Sequence, residues 1–288
     1  MSMKISVVIT TFNRPEFLIE ALEGIKNQYC PPHEVIIIDD NSSVSYKSAM
    51  PIVDSTAAKY YRQNISCGAN KARNLGVEYA TGDIVAFLDD DDVWLPEYLK
   101  TLQEVYQSGA EAVVTGFKQL GKEDVIVVNK DILVSKPSLL RGNTYCGMSG
   151  FSAKRQLLLK NTFDESLNNG QDWDMYVRLF QQDITFVNIP KPLFLYRFQN
   201  EDGIGAKVRK MKPADIDKRL GSAYKHKDFL GDYWFNKRVS DQILFSLKHK
   251  NKKLSWVFKS LKVAGFKATI VFFYNAVKRK VLNKPMSI

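Results

Sequence analysis

Short apolar runs alternate with longer stretches of three- and four-residue apolar spacing over the first 120 residues, the order of successive βαβ units. Residues 5–9 (ISVVI) read as a buried strand, and TTFNR as the turn that follows. Asn13 and Pro15 are start signals for a helix whose apolar stripe is Phe17, Leu18, Ala21, Leu22 and Ile25. Pro31 and Pro32 close that helix, and Val35 to Ile38 form a second strand ending at Asp39 and Asp40. The pattern then returns. Ala58 to Tyr61 is a third strand, Ala69 to Ala80 a helix entered through a glycine turn, and Ile84 to Leu88 a strand stopping at Asp89. Pro96 to Gln107 is helical and Ala112 to Thr115 a short strand. Such an order predicts an α/β fold with a mostly parallel central sheet flanked by helices.

Beyond residue 120 the regularity weakens. Val125 to Val128 reads as a strand, Arg141 to Ser152 as a glycine-rich loop and Asp172 to Gln182 as a helix. Apolar runs from Ile184 to Leu195 are interrupted by Pro190 and Pro192, and after about residue 204 the chain turns lysine-rich and helical in pattern. Charge marks the same change. Residues 201–288 hold 21 Lys+Arg against 7 Asp+Glu, whereas residues 1–200 hold 20 against 24. A catalytic domain over 1–200 and a basic, mainly helical region over 201–288 are therefore expected, and a uniformly basic nucleic-acid binder is not. Three dispersed cysteines (Cys30, Cys67, Cys146) give neither a disulfide framework nor a thiolate zinc site. No stretch has the length or apolarity of a membrane span, so a cytoplasmic protein is expected.

Candidate chemistry gathers where apolar strands end in acids: VIIIDDNSS supplies Asp39 and Asp40, and IVAFLDDDDVWLP supplies Asp89 to Asp92. Ligands of open parallel sheets bind beyond the carboxyl ends of the strands. Alternate residues Asp89 and Asp91 can point the same way from an extended segment and share a divalent ion with a diphosphate. Oxygen-only ligands favour Mn²⁺ or Mg²⁺. Thr10, Asp40 and Asn41 offer a polar rim for a base and ribose, and Lys71 or Arg73 a cation for phosphate. Neither GxxxxGK[ST] nor GxGxxG occurs, which argues against a P-loop ATPase and a dinucleotide oxidoreductase. Trp94 and Trp173 have flat faces suited to a sugar wall. Gly147, in CGMSG, allows close backbone approach at an acceptor wall.

The stretches SVVITTFNRPEFLIEAL, EVIIIDDNSS, GANKARNLGVEYATGDIVAFLDDDDVWLP and FDESLNNGQDWDMYVRL, in this order, resemble the family 2 inverting glycosyltransferases of bacterial surface-polysaccharide synthesis. The resemblance spans about residues 5–180 and implies a GT-A type nucleotide-diphospho-sugar transferase fold. It implies that Thr10, Asp39, Asp40, Arg73 and Asp89 bind the nucleotide sugar, that Asp91 with Asp89 holds the metal, and that Asp172 is the catalytic base. Gln171 stands where the family usually has a glutamate before that base. The implied reaction moves a hexose from a UDP-sugar to a hydroxyl of a lipid-linked saccharide, as in O-antigen or capsule synthesis. A nucleotidyltransferase would need a glycine- and lysine-rich loop after the first strand, which TTFNRPEF is not. A binding module without activity would have no use for both the metal acids and the base.

The basic end has its own pattern. In KKLSWVFKSLKVAGFKATIVFFYNAVKRK (252–280), Leu254, Val257, Phe258 and Leu261 recur at helical spacing among Lys252, Lys253, Lys259 and Lys262. A helix of this kind either lies in the plane of an anionic membrane, peripheral on the inner face of the cytoplasmic membrane, or packs as a helical cap with a solvated basic face.

Overall fold

The computed structural model describes residues 3–198 and 208–281. Its strands are β1 (Ile5–Thr11), β2 (Glu34–Asp39), β3 (Lys59–Arg62), β4 (Ile84–Asp89), β5 (Val93–Trp94), β6 (Ala112–Gln119), β7 (Lys122–Val127), β8 (Phe151–Lys154) and β9 (Phe186–Tyr196). Among the described residues they form one nine-stranded sheet in the order β3-β2-β1-β4-β8-β6-β9-β5, with β7 paired to β6. Strands β3, β2, β1 and β4 are mutually parallel, and β6 and β9 run parallel to each other. β8 lies antiparallel between β4 and β6. Helices α1 (Pro15–Lys26), α2 (Met50–Ser55), α3 (Ala69–Tyr79) and α4 (Tyr98–Gln107) follow β1, β2, β3 and β5 respectively. Then come α5 (Lys136–Leu140), α6 (Arg155–Lys160), α7 (Gln171–Phe180), α8 (Gly221–Lys225), α9 (Lys227–Leu244) and α10 (Lys253–Val281).

The apolar runs become central strands because both faces are covered: Val7, Val8, Ile9, Ile36, Ile37, Ile38 and Ile84 to Leu88 are all buried. Gly76 lets α3 settle onto β1, since a Cβ there would lie 2.2 Å from a Val8 methyl. Glu34 binds the edge together, accepting from Ser6 Oγ (2.7 Å), Thr81 N and Oγ1 (2.7 Å each) and Lys59 Nζ (2.9 Å). Burial alone would raise its pKa, but these donors carry it down to about 2. A carboxylate with a depressed folded pKa stabilises above its ordinary value near 4.5 and loses that contribution as pH falls toward 2. Glu34→Gln is therefore expected to cost about 1–2 kcal/mol at neutral pH, the exposed Lys59 pair adding little. Denaturant titrations of both proteins should converge in acid; a deficit unchanged at pH 2 would contradict this origin.

The expected strand interruption at Pro190 and Pro192 does not occur. β9 runs on through both prolines because its register with β6 shifts on either side of Gly116, which makes a bulge needing no proline N–H. The Arg141–Ser152 loop is shorter than its glycines suggest, giving way to a 3₁₀ turn at Met148–Gly150 and then β8. Asn13 is not the cap of α1. Arg14 occupies that place without a side-chain hydrogen bond, and Asn13 has a left-handed φ of 57°.

Contacts divide the chain into two compact units. One comprises Met1–Ser135, Tyr145–Glu165 and Arg178–Phe198 and contains the sheet. The other comprises Lys136–Thr144, Ser166–Val177 and Gln199–Ile288. Two stretches from the first 200 residues thus belong with the basic helices. In that second unit Val239, Ile243 and Leu244 of α9 and Trp256 and Ala264 of α10 are buried.

Candidate active site

Parallel register brings the strand-end acids together. Thr10 pairs with Ile38 on one side and Asp89 on the other, and Thr11 pairs with Asp39. Asn13 and Asn41, just past β1 and β2, both adopt φ near 60°, turning the chain sharply at the sheet's carboxyl edge. The Asn13 side-chain oxygen accepts from Ser43 N at 2.7 Å, tying the two turns to each other.

Asp39 and Asp40 are both buried but serve different neighbours. Asp39 accepts from Ser42 N (2.9 Å), Ser42 Oγ (2.5 Å) and Tyr60 Oη (2.5 Å). Asp40 accepts from Gln63 Nε2 (2.8 Å), Ser66 Oγ (2.8 Å), Cys67 N (2.8 Å) and Gly68 N (2.9 Å). It thereby holds the loop that opens α3. Arg73, on α3, donates to Asp89 Oδ1 at 2.6 Å and lies 5.7 Å from the centre of the Phe163 ring; its Nε is buried without a partner.

The four consecutive aspartates have four distinct environments. Asp89 has a side chain 31% exposed and meets Arg73. Asp90 is buried, accepts from Thr11 Oγ1 at 2.7 Å and is approached by Arg14 at 3.4 Å. Burial outweighs those donors and pushes its pKa up to about 7. Asp91 pairs with Arg14 at 2.9 Å; burial and the charge of Asp89 raise it. Asp92 is buried, takes Ser149 Oγ (2.5 Å) and Arg197 N (2.9 Å), and is raised by burial and by Asp91. Asp89 and Asp91 thus face outward, while Asp90 and Asp92 anchor the turn.

Both tryptophans expected at a sugar wall are core residues. Trp94 is 2% exposed, stacks on Tyr98 at 4.0 Å and donates from Nε1 to Ser149 O. Trp173 is 0% exposed and donates from Nε1 to Leu139 O at 2.8 Å. A ring closed on both faces presents none to a ligand. Gly147 is half-buried, and a Cβ added there would meet nothing within 4 Å.

Asp172 belongs to the second unit, in the first turn of α7. Its Oδ1 accepts from Trp173 N at 2.7 Å and its Oδ2 from Asn143 Nδ2 at 2.6 Å. Arg238 lies over the Trp173 ring at 3.5 Å; burial lowers its pKa to about 10, while Asp172 and Asp241 oppose the shift. Asp174, one residue past Trp173, is buried against Lys225 Nζ (2.9 Å) and His226 Nε2 (2.7 Å), so it braces the helix start. Nothing in the residue pattern singles out Asn143, Arg238 or Ser149. Arg14 does carry a signal, as the one cation in the turn after β1.

Known proteins are similar to this chain. The family model for glycosyl transferase family 2 matches residues 6–165. The GalNAc(5)-diNAcBac-PP-undecaprenol beta-1,3-glucosyltransferase of Campylobacter jejuni is 32% identical over 211 residues, covering 70% of this chain and 67% of its own. Among solved structures, S. aureus TarS 1-349 in complex with UDP-GlcNAc superposes with a TM-score of 0.62 at 16% identity, covering 93% of this chain and 89% of that one. This chain spans about half, 54%, of the longer TarS chain. The mannosyltransferase PcManGT of Pyrobaculum calidifontis, in complex with GDP-Man and Mn²⁺, gives 0.61 at 16% identity, with 97% and 81% covered. The chain belongs to glycosyl transferase family 2. It has the GT-A type fold and is a glycosyltransferase.

Proposed function

We propose that the protein transfers a hexose from a UDP-sugar, with inversion, to a hydroxyl of a lipid-linked saccharide in surface-polysaccharide synthesis. The reading is supported by the carboxyl ends of three adjacent parallel strands, where Thr10 lies beside Asp89, the Asp40 N–H donates to Thr11 O, and Arg73 of α3 pairs with Asp89. The UDP-GlcNAc complex of TarS supports the donor class. The undecaprenol-linked acceptor in the name of the C. jejuni relative supports the acceptor class.

A divalent cation fits the residues present. Asp89 and Asp91 supply oxygen donors only, and Asp91 is raised first by burial and then by the nearby charge of Asp89, so the two carboxylates lie close enough to feel each other. Among the described residues no group of three or more His, Cys, Asp or Glu could hold a metal ion unaided. Mg²⁺ commonly takes one or two carboxylates together with substrate phosphates, so this pair suffices. When bound, Mn²⁺ or Mg²⁺ would offset charge on the departing diphosphate.

The chain's own groups do the rest. The acceptor oxygen forms its bond to the anomeric carbon from the face opposite the diphosphate. The bond from that carbon to the diphosphate breaks, and its electron pair leaves with UDP. The hydroxyl proton passes to Asp172, whose carboxylate Asn143 and the Trp173 N–H hold in one orientation. Arg73 and Arg14 stand beside the acids as cations for the leaving group. Calorimetry with Mn²⁺ present tests the donor class. UDP is expected to bind at least about tenfold more tightly than GDP, a difference of about 1.4 kcal/mol. Equal or tighter GDP binding would overturn the UDP assignment.

A further inference from the structure

Helix α10 has two faces that the sequence alone does not separate. Gly265, with a left-handed φ of 83°, divides it. Before the break only Leu254 and Phe258 are exposed large apolar groups, while Val257 and Leu261 are half-buried. After it, Phe266, Ile270, Phe273, Tyr274, Val277 and Val281 are all exposed and recur at three- and four-residue spacing. At 3.6 residues per turn they form one continuous stripe about 100° wide. Exposure is large along its length: 71% at Phe266, 64% at Tyr274, 62% at Val277 and 77% at Val281.

The stripe is not the face that α10 packs inward. That face is fixed by Ala264, Ala268 and Thr269, which are buried, and by hydrogen bonds that the Ser260 hydroxyl shares with Ser240 of α9 (3.1 Å) and with Thr269 (2.8 Å). Lys267 and Lys278 are exposed and fall at the edge of the apolar stripe. The charge of the helix itself has one sign, and the acid that meets it, Asp217, pairs with Lys259 ahead of the break at 3.0 Å. No Asp or Glu follows Asp241, while eleven Lys and Arg do.

We infer that the Phe266–Val281 face of α10 lies on an anionic lipid bilayer, its apolar side chains in the headgroup–acyl boundary and its lysines on lipid phosphates. Charge complementarity selects this occupant over a second copy. Two such faces in contact would oppose their lysines with no acid on either side to answer them. The helix rests on the surface and does not cross it, since no helix among the described residues is long and apolar enough to span a membrane. The inference deepens the lipid-linked acceptor proposed above, because an enzyme held at the bilayer meets such a substrate in two dimensions.

The test uses the full chain and needs neither donor nor acceptor, so its outcome is separate from that of the transfer reaction. Co-sedimentation is measured with phosphatidylglycerol/phosphatidylcholine vesicles and with phosphatidylcholine alone. Binding is expected to the anionic vesicles, weakening as salt rises. F266S/I270S/F273S/V277S should lose at least about tenfold in partitioning. K267Q/K278Q should lose about fivefold per lysine at low salt. Circular dichroism should show unchanged helix content in both, all six positions being exposed. Wild-type partitioning by the serine variant would overturn the proposal, as would equal binding to neutral vesicles. So would a concentration-dependent dimer, abolished by the serine substitutions, in a protein that ignores vesicles, for then a second copy covers the face.

Discussion

Asp91→Ala is expected to abolish metal-dependent transfer, with turnover down at least about a thousandfold, while the protein keeps its fold. The expectation follows from how the four aspartates divide their work. Asp90 and Asp92 are buried and hydrogen-bonded to Thr11, Ser149 and the Arg197 backbone, so they are structural. Asp91 makes its contact with Arg14, a side chain itself partly exposed, and its carboxylate sits under the repulsion of Asp89. Removing it relieves like-charge strain as it removes the ligand proposed for the cation. Turnover measured across a Mn²⁺ titration, beside a thermal melt, checks both halves. Undiminished turnover with the wild-type metal response would remove Asp91 from the site.

Asp172→Asn should leave UDP binding intact and lower turnover by at least about a hundredfold, the low end for loss of a general base. The substitution is nearly isosteric. The side-chain oxygen of the introduced amide can still accept from the Trp173 N–H, so the start of α7 is retained. What is lost is the capacity, proposed above for Asp172, to take the acceptor proton. Calorimetry with UDP beside a turnover assay separates the two effects. Weakened UDP binding with near-normal turnover would move Asp172 from base to donor contact.

Much of the sheet can be read along the chain because its central strands are buried on both faces. VIII and IVAFL are unbroken apolar runs and ISVVI is interrupted only by Ser6, each with an acid or threonine at the carboxyl end, and β1, β2 and β4 follow. The misread features depend on partners far away in sequence. β8 is only FSAK, and becomes a strand by lying between β4 and β6. Trp94 and Trp173 are large and amphipathic, which is equally true of a sugar platform. What buries them is an indole N–H satisfied by Ser149 O and Leu139 O, 55 and 34 residues distant. Ser149 shows the same limit from the other side: an ordinary serine in a glycine-rich loop fixes the Asp89 N–H and the Asp92 carboxylate. The helical apolar spacing legible in α10 is Leu254, Val257, Phe258 and Leu261, whereas the continuous exposed stripe lies beyond Gly265, and only packing against α9 decides which face is left outward.

The proposed transfer to a lipid-linked saccharide with inversion is met most directly by one measurement. The purified chain is given each of a panel of UDP-hexoses with a polyprenyl-diphosphate saccharide and Mn²⁺, and the products are followed by mass spectrometry and by the anomeric proton coupling in NMR. One UDP-hexose is expected to add a single hexose to the lipid-linked saccharide with UDP released. The new linkage should have the opposite anomeric configuration to the donor, and a chelator should stop the reaction. A product that retains the donor's configuration, or transfer undiminished by the chelator, would contradict the claim.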